Sequence, residues 1–209
     1  IKSDGEDYLD IIDNKYLRYP EEFKRKLSRF IQNINNKEDI EKNINTYKSL
    51  EREITLQHSI IAQNIINENN YNIHLVGFHG QTIIHKPRDF YSIQMGDANL
   101  LSQVLKKKVI YNFRANDIKH GGEGAPLTPI YHKLLIKKFH RNNPTIILNI
   151  GGISNYTYCF DDKITAKDIG PGNVLIDEYL KKTKGINYDK NGDIALSGNI
   201  NYDIINQFY

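Results

Sequence analysis

Apolar residues recur along this chain with two different spacings, and the change from one to the other organises it. Phe23, Leu27, Phe30, Ile31 and Ile34 fall on one helical face, and Leu50, Ile54, His58, Ile61 and Ile65 repeat that face over four turns. The spacing predicts two amphipathic helices within 21–70, covering a sheet and separated near the polar run NNKED at 35–39. Ahead of them, residues 1–20 read as two short strands around a turn at Asp4-Gly5, closed by Pro20. We expect an edge hairpin whose sheet partners lie upstream.

After Asn69-Asn70 short apolar runs alternate with helical ones. Strands are predicted at 73–78, 91–95, 108–113, 145–150 and 156–160, and helices at 98–105, 128–138 and 174–182. That alternation, with polar turns between, indicates an α/β sheet that is at least partly parallel. The basic, polar HRNNP at 140–144 interrupts it and predicts a domain boundary at 139–144, giving units of 1–140 and 141–209.

Composition narrows the function classes. A chain of 209 residues holds one large domain or two modest ones with a genuine core. No apolar run approaches the roughly 18 residues that span a membrane. The 28 basic residues nearly balance the 25 acidic ones, so nothing in the charge calls for a nucleic-acid partner. The 14 Tyr and 8 Phe argue against disorder. A single cysteine, Cys159, excludes an internal disulfide, and a cytoplasmic protein is the expectation. The chain opens on Ile1 and its only methionine is Met95, which reads as a fragment or a processed start. Residues 1–20 lack the basic-then-apolar layout of a secretory signal.

Small and polar residues gather in five segments: GFHGQT (77–82), QMGD (94–97), NFRANDIKHGGEGAP (112–126), NIGGISN (149–155) and DIGPGN (168–173). Most follow a predicted strand, where ligands of open α/β sheets bind, so these loops are expected to converge on one cleft. NIGGISN is either a tight turn or a place where backbone N–H groups meet phosphate oxygens. In DIGPGN, Asp168 is expected to end a strand while Gly170-Pro171-Gly172 turns into a helix beginning near Asn173. A carboxylate so placed can take a proton beside a bound anion, or merely fix the turn. Arg114 offers a fork for a carboxylate or phosphate, with a structural Arg114–Asp117 pair as the competing account. His74, His79 and His85 match no common zinc spacing, and His79 reads better as lining a pocket. Cys159, in the apolar YTYCF, reads as a buried small residue. Neither a Walker P-loop nor a Rossmann glycine motif is present.

In this order FHGQTIIH, QMGD, FRANDIKHGGEGAPLTP, LNIGGISN, DIGPGNVLID and YDKNG (188–192) resemble the landmark segments of the anhydro-N-acetylmuramic acid kinases of bacterial cell-wall recycling. The resemblance runs from His74 to Gly192. It implies an actin-like, ribonuclease H-type α/β fold of two lobes with ATP between them, incomplete here. It also implies a reaction that hydrolyses the 1,6-anhydro bridge of the sugar and phosphorylates O6, giving N-acetylmuramic acid 6-phosphate and ADP, with Mg²⁺ accompanying ATP. By position, Asp168 corresponds to the general base. Asn149, Gly151 and Gly152 correspond to a phosphate loop, joined by Gly170 and Gly172. His79, Gln81, Arg114, Asp117 and Glu123 fall in the segments that shape the sugar pocket, with Arg114 suited to the lactyl carboxylate.

Two positions depart from the family pattern, which has Asp where Asn112 stands and Gln where Glu123 stands. The family's first phosphate loop and its adenosine-binding glycines are expected outside this chain, truncating it at both ends. The alternatives are an inactive remnant of such a kinase and a sugar-binding module without phosphotransfer. The expected partners are the anhydro sugar and ATP, with no nucleic acid or membrane, and a homodimer is left open.

Overall fold

The computed structural model describes residues 1–68, 72–139, 143–161 and 163–207. The Asn69-Asn70 signal and residues 140–142 of the HRNNP segment lie outside the described residues. The chain forms two compact units, Ile1–Leu127 and Thr128–Tyr209.

In the first unit, strands β1 (Lys2–Ser3) and β2 (Leu9–Asp10) pair antiparallel. Asp4 organises the turn between them, its carboxylate accepting from the N–H groups of Glu6, Asp7 and Tyr8 at 2.9–3.0 Å. Helix α1 (Glu21–Gln32) starts after Pro20 and buries Phe23, Leu27 and Phe30. The polar break contains a helix of its own, α2 (Lys37–Lys42), capped by the Asn36 side chain accepting from Asp39 N–H. With Ile40 its single buried residue, α2 has no apolar repeat to betray it. The long α3 (Ile44–Glu68) buries Leu50, Ile54, Thr55 and Ser59.

Strand β3 (Leu75–Gly77) pairs parallel with β6 (Lys108–Ile110). Between them run the antiparallel hairpin of β4 (Gln81–Lys86) and β5 (Tyr91–Met95), then helix α4 (Ala98–Leu105). The β4 strand is not among those expected, because the apolar Ile83 and Ile84 of QTIIHK are adjacent and do not alternate. The strand expected over 108–113 stops at Ile110: Asn112 takes a left-handed φ of 59° and the chain turns into α5 (Phe113–Lys119). Asparagine tolerates that conformation better than most residues, which gives Asn112 a conformational role at this position.

The core of the first unit joins the α1 and α3 faces to one side of the hairpin through Phe23, Leu27, Phe30, Leu50, Ile54, Ile84 and Met95. A second cluster packs Phe78 with Ala98, Leu101 and Leu105 of α4. Thr55 links the helices to the QMGD segment, accepting from Asp97 N–H at 2.9 Å while donating to Glu51 O. Asp97 in turn caps α4 through Leu100 N–H.

His58 sits beside these anchors, within 2.7 Å of Tyr19 Oη and edge-on to Phe78. Burial pushes its pKa below the ordinary histidine value, and His85 and His132 shift the same way for the same first cause. The native protein therefore holds these rings neutral while the unfolded chain takes up protons below about pH 6.5. Stability is expected to fall as pH drops through that range. Thermal melting should give a lower Tm at about pH 5.5 than at about 7.5, and the difference should shrink in His58→Gln.

The second unit opens with α6 (Pro129–Lys138) and continues as an antiparallel meander of β7 (Thr145–Ile150), β8 (Ile153–Phe160) and β9 (Lys163–Pro171), with β8 central. Helices α7 (Val174–Lys184), α8 (Asp193–Leu196) and α9 (Tyr202–Ile205) follow. Helix α6 covers one face of the meander, where His132 Nδ1 meets Thr157 Oγ1 at 2.8 Å and Thr157 and Cys159 are buried. Burial pushes the Cys159 thiol pKa up, which keeps it protonated and unreactive.

Candidate active site

The first unit brings His79, Arg114 and the glycine-rich turn after α5 together. Arg114 Nε donates to His79 Nε2 at 2.9 Å, and Arg114 Nη1 donates to Gly124 O at 3.3 Å. Because His79 Nε2 accepts, its proton must sit on Nδ1, which lies 2.9 Å from Gly80 O. The half-buried guanidinium is thus oriented from two sides.

Asp117 takes a different partner from Arg114. Its Oδ2 accepts from Gly124 N–H at 2.8 Å and its carbonyl from Gly122 N–H at 2.9 Å, so it shapes the HGGEG turn. A Cβ on Gly122 would collide with that carboxylate. Glu123 projects from the same turn and is exposed; its charge and that of Arg114 both act on His85. Gln81 opens β4 across from Met95, on the side of the hairpin that faces the helices.

In the second unit the strand register builds the site. Asn149 pairs with Asn155, and Asn155 pairs with Asp168, so three polar side chains form a row across β7, β8 and β9. The row shares the face of the sheet that holds Thr157 and Cys159. Asp168 lies inside β9 and not at its end, and it is exposed. The expectation of a strand ending there fails because Gly170 and Pro171 still pair with Ser154 and Ile153. The register slips between the Ser154–Gly170 and Asn155–Asp168 pairs, leaving Ile169 as a bulge immediately beside Asp168. Such bulges re-aim a neighbouring side chain.

Gly172 and Asn173, and not Gly170-Pro171, turn the chain toward α7, and they do so against the glycine turn of the β7–β8 hairpin. Gly172 N–H donates to Gly152 O at 2.8 Å, and Asn173 N–H donates to Gly151 O at 2.7 Å. A Cβ on Gly172 would collide with the Gly151 carbonyl and stand 2.8 Å from Ser154 Oγ. The two glycine motifs are therefore interlocked backbone to backbone. Gly151 and Gly152 themselves differ: an added Cβ would meet only ordinary contacts at 3.6 Å or beyond. Their carbonyls are turned toward α7, and their N–H groups have no backbone partner among the described residues.

Asn155 escaped the sequence reading as a site residue, although the signal was present. A tight hairpin centred on Gly152 places residues equally spaced on either side opposite each other, and Asn149 and Asn155 are both three away. In the first unit, His74 Nε2 lies 3.5 Å from Asn72 Nδ2. Among the described residues no group of three His, Cys, Asp or Glu side chains is gathered as a metal site, and no helix is long and apolar enough to cross a membrane.

Comparison with known proteins gives this arrangement a family. A sequence profile described as anhydro-N-acetylmuramic acid kinase matches residues 1–209. The chain is 42% identical over 210 residues to the anhydro-N-acetylmuramic acid kinase of Pelagibacter ubique, covering 99% of this chain and 56% of that protein. The kinase of the same description from Rhizobium etli is 35% identical over 96% of this chain and 55% of its own length. That from Brucella canis is 32% identical, covering 100% of this chain and 57% of itself. The chain thus spans a little over half the length of these curated relatives. With a match along all 209 residues, the chain belongs to the anhydro-N-acetylmuramic acid kinase family.

Proposed function

We propose that this chain carries the sugar-recognising and base-bearing groups of an ATP-dependent kinase that opens the bridge of 1,6-anhydro-N-acetylmuramic acid and phosphorylates O6. The finer fold reading is an actin-like, ribonuclease H-type two-lobed architecture, supported by the mixed α/β character and the antiparallel meander leading into α7. The observation that carries the function is the pair Gly151 and Gly152. Among the described residues nothing requires glycine at either position, no positive φ and no tight contact, so their small size suits close approach by a ligand.

The assigned roles follow from chemistry. Asp168 takes the proton of a water attacking the anomeric carbon. Oxygen O6, released as the C1–O6 bond breaks, accepts the phosphoryl group, and ADP leaves. The N–H groups of Gly151 and Gly152, with Asn149 at the end of β7, are donors suited to phosphate oxygens whose charge grows during transfer. Mg²⁺ would come bound mainly to the ATP phosphates and water, neutralising charge there. Arg114, held by His79 and Gly124, pairs with the lactyl carboxylate, while Asp117 and Glu123 set the shape and charge of the turn beside it. A cytoplasmic location goes with use of ATP.

Calorimetric titration of the chain with 1,6-anhydro-N-acetylmuramic acid, with and without Mg-ATP, tests this reading after circular dichroism has established folding. Saturable sugar binding, with N-acetylmuramic acid 6-phosphate and ADP formed when Mg-ATP is present, is the expected result. Sugar binding without phosphate transfer would make the chain a binding module. Absence of sugar binding by folded chain would overturn the proposal.

A further inference from the structure

The face of the β4–β5 hairpin opposite the helical core carries a polar ribbon that the assigned roles leave unused. Thr82 pairs with Gln94 and His85 with Ser92, which puts all four on one side. Helix α5, the element that bears Arg114, packs against β5. The ribbon is internally bonded around the Ser92 hydroxyl. Ser92, which is buried, donates from Oγ to Ile84 O at 3.2 Å, so its lone pairs only accept. Gln94 Nε2 fills one of them at 2.7 Å and also reaches Thr82 Oγ1 at 3.4 Å. His85 Nδ1 lies 3.1 Å from the same oxygen, and in the tautomer protonated at Nδ1 it fills the other.

That tautomer leaves two acceptors: a lone pair on His85 Nε2 and, with the amide nitrogen of Gln94 engaged, its Oε1. The His85 ring is exposed, so its Nε2 is open to a ligand. Burial and the nearby Arg114 charge hold its pKa below the ordinary histidine value, against the opposing effect of Glu123. The imidazole is thereby kept neutral, as an acceptor must be.

We propose that His85 Nε2 and Gln94 Oε1 form a paired-acceptor subsite, near Arg114, for the neutral N–H and O–H donors of an N-acylated, 1,6-bridged amino sugar. The inference rests on the sugar-kinase reading above and adds the groups that would recognise the ring. Such a sugar has one carboxylate, on its lactyl arm, and two neutral donors, the acetamido N–H and the 4-hydroxyl. The bridge forces the ring into a chair that holds those two donors on the same face. Arg114 answers the carboxylate, and the acceptors of His85 and Gln94, two side chains that meet at Ser92 Oγ, answer the other two. An acceptor facing a donor discriminates strongly, because an analogue lacking the donor leaves a polar group unpaired.

Two substitutions at one position separate this role from a structural one. His85→Asn retains a donor near Nδ1 for Ser92 but removes the acceptor at the Nε2 position. His85→Gln puts an amide oxygen near Nε2. In calorimetry with 1,6-anhydro-N-acetylmuramic acid, His85→Asn is expected to raise Kd about tenfold, roughly 1.4 kcal/mol, and His85→Gln to stay within about threefold. Both variants should melt like the unsubstituted chain.

Unchanged affinity in His85→Asn would overturn the subsite while leaving the kinase reading intact. Equal weakening in both variants would overturn it as well, since the acceptor would then not be what matters. If the unsubstituted, folded chain fails to bind the sugar, the kinase reading falls and takes the subsite with it.

Discussion

Replacing Asp168 by Asn is expected to lower kcat for phosphoryl transfer by about 10²–10⁴-fold while changing the Kd of the anhydro sugar by less than about tenfold. The substitution is nearly isosteric, and the Asp168 side chain is exposed with no hydrogen-bond or ion-pair partner among the described residues. The fold should therefore lose no more than about 0.5 kcal/mol, as for most surface changes. What disappears is the ability to accept a proton, because an amide oxygen has almost no basicity at neutral pH. The neighbouring Asn155 and Asn149 cannot compensate, since both are amides already. Single-turnover kinetics with Mg-ATP and sugar, run beside calorimetry of the same variant, separate the two quantities. Full turnover in Asp168→Asn would remove the carboxylate from the mechanism. Loss of sugar affinity by far more than tenfold would recast it as a binding group.

The parts of this fold that were legible in the sequence are those where burial follows one clean period. β5 and α4 have their expected bounds because Ile93 and Met95, and Leu101 and Leu105, recur at the spacing of their element, and β7 has its own because Ile146, Ile147 and Leu148 form a continuous apolar run. α5 was invisible because Ile118 is its single buried residue, and FRANDIK reads as a polar loop. β9 is hard to read as a strand through Pro171 because only Ile164 and Ala166 carry its alternation, and the bulge at Ile169 shifts the phase.

The site divides along similar lines. Residue types with distinctive chemistry, such as Arg114, Asp168 and the glycine pairs, stand out in one dimension. Their partners do not: His79 meets Arg114 from 35 positions away, and Gly172 meets Gly151 across two strands. Long-range partners are set by register and packing, which a single sequence does not display. The Arg114–Asp117 alternative illustrates this, since the spacing of three residues suits a helical ion pair, yet the turn captures the Asp117 carboxylate first.

The interlocked glycines give the second large effect, in a pair of substitutions that should behave differently. Gly172→Ala is expected to cost about 1–3 kcal/mol, because its Cβ collides with a backbone carbonyl that no side-chain rotation can move. To relieve the collision the Gly151–Gly152 turn must shift away from the start of α7, breaking the 2.7 and 2.8 Å hydrogen bonds that join them. A displacement on the order of 1 Å at groups that position a reacting phosphate lowers kcat about 10²-fold. Gly152→Ala is the informative contrast. Its Cβ would meet Val174 at an ordinary 4.0 Å, so Tm should barely move, within about 0.5 kcal/mol of unsubstituted protein. A loss of phosphoryl transfer in that variant, with Tm unchanged, would support the proposed approach of a phosphate to this turn. Thermal melts and single-turnover rates on both variants give four numbers. If Gly172→Ala melts and turns over like the unsubstituted chain, the interlock has no mechanical role. If Gly152→Ala keeps full activity, the glycine turn is a turn and nothing more.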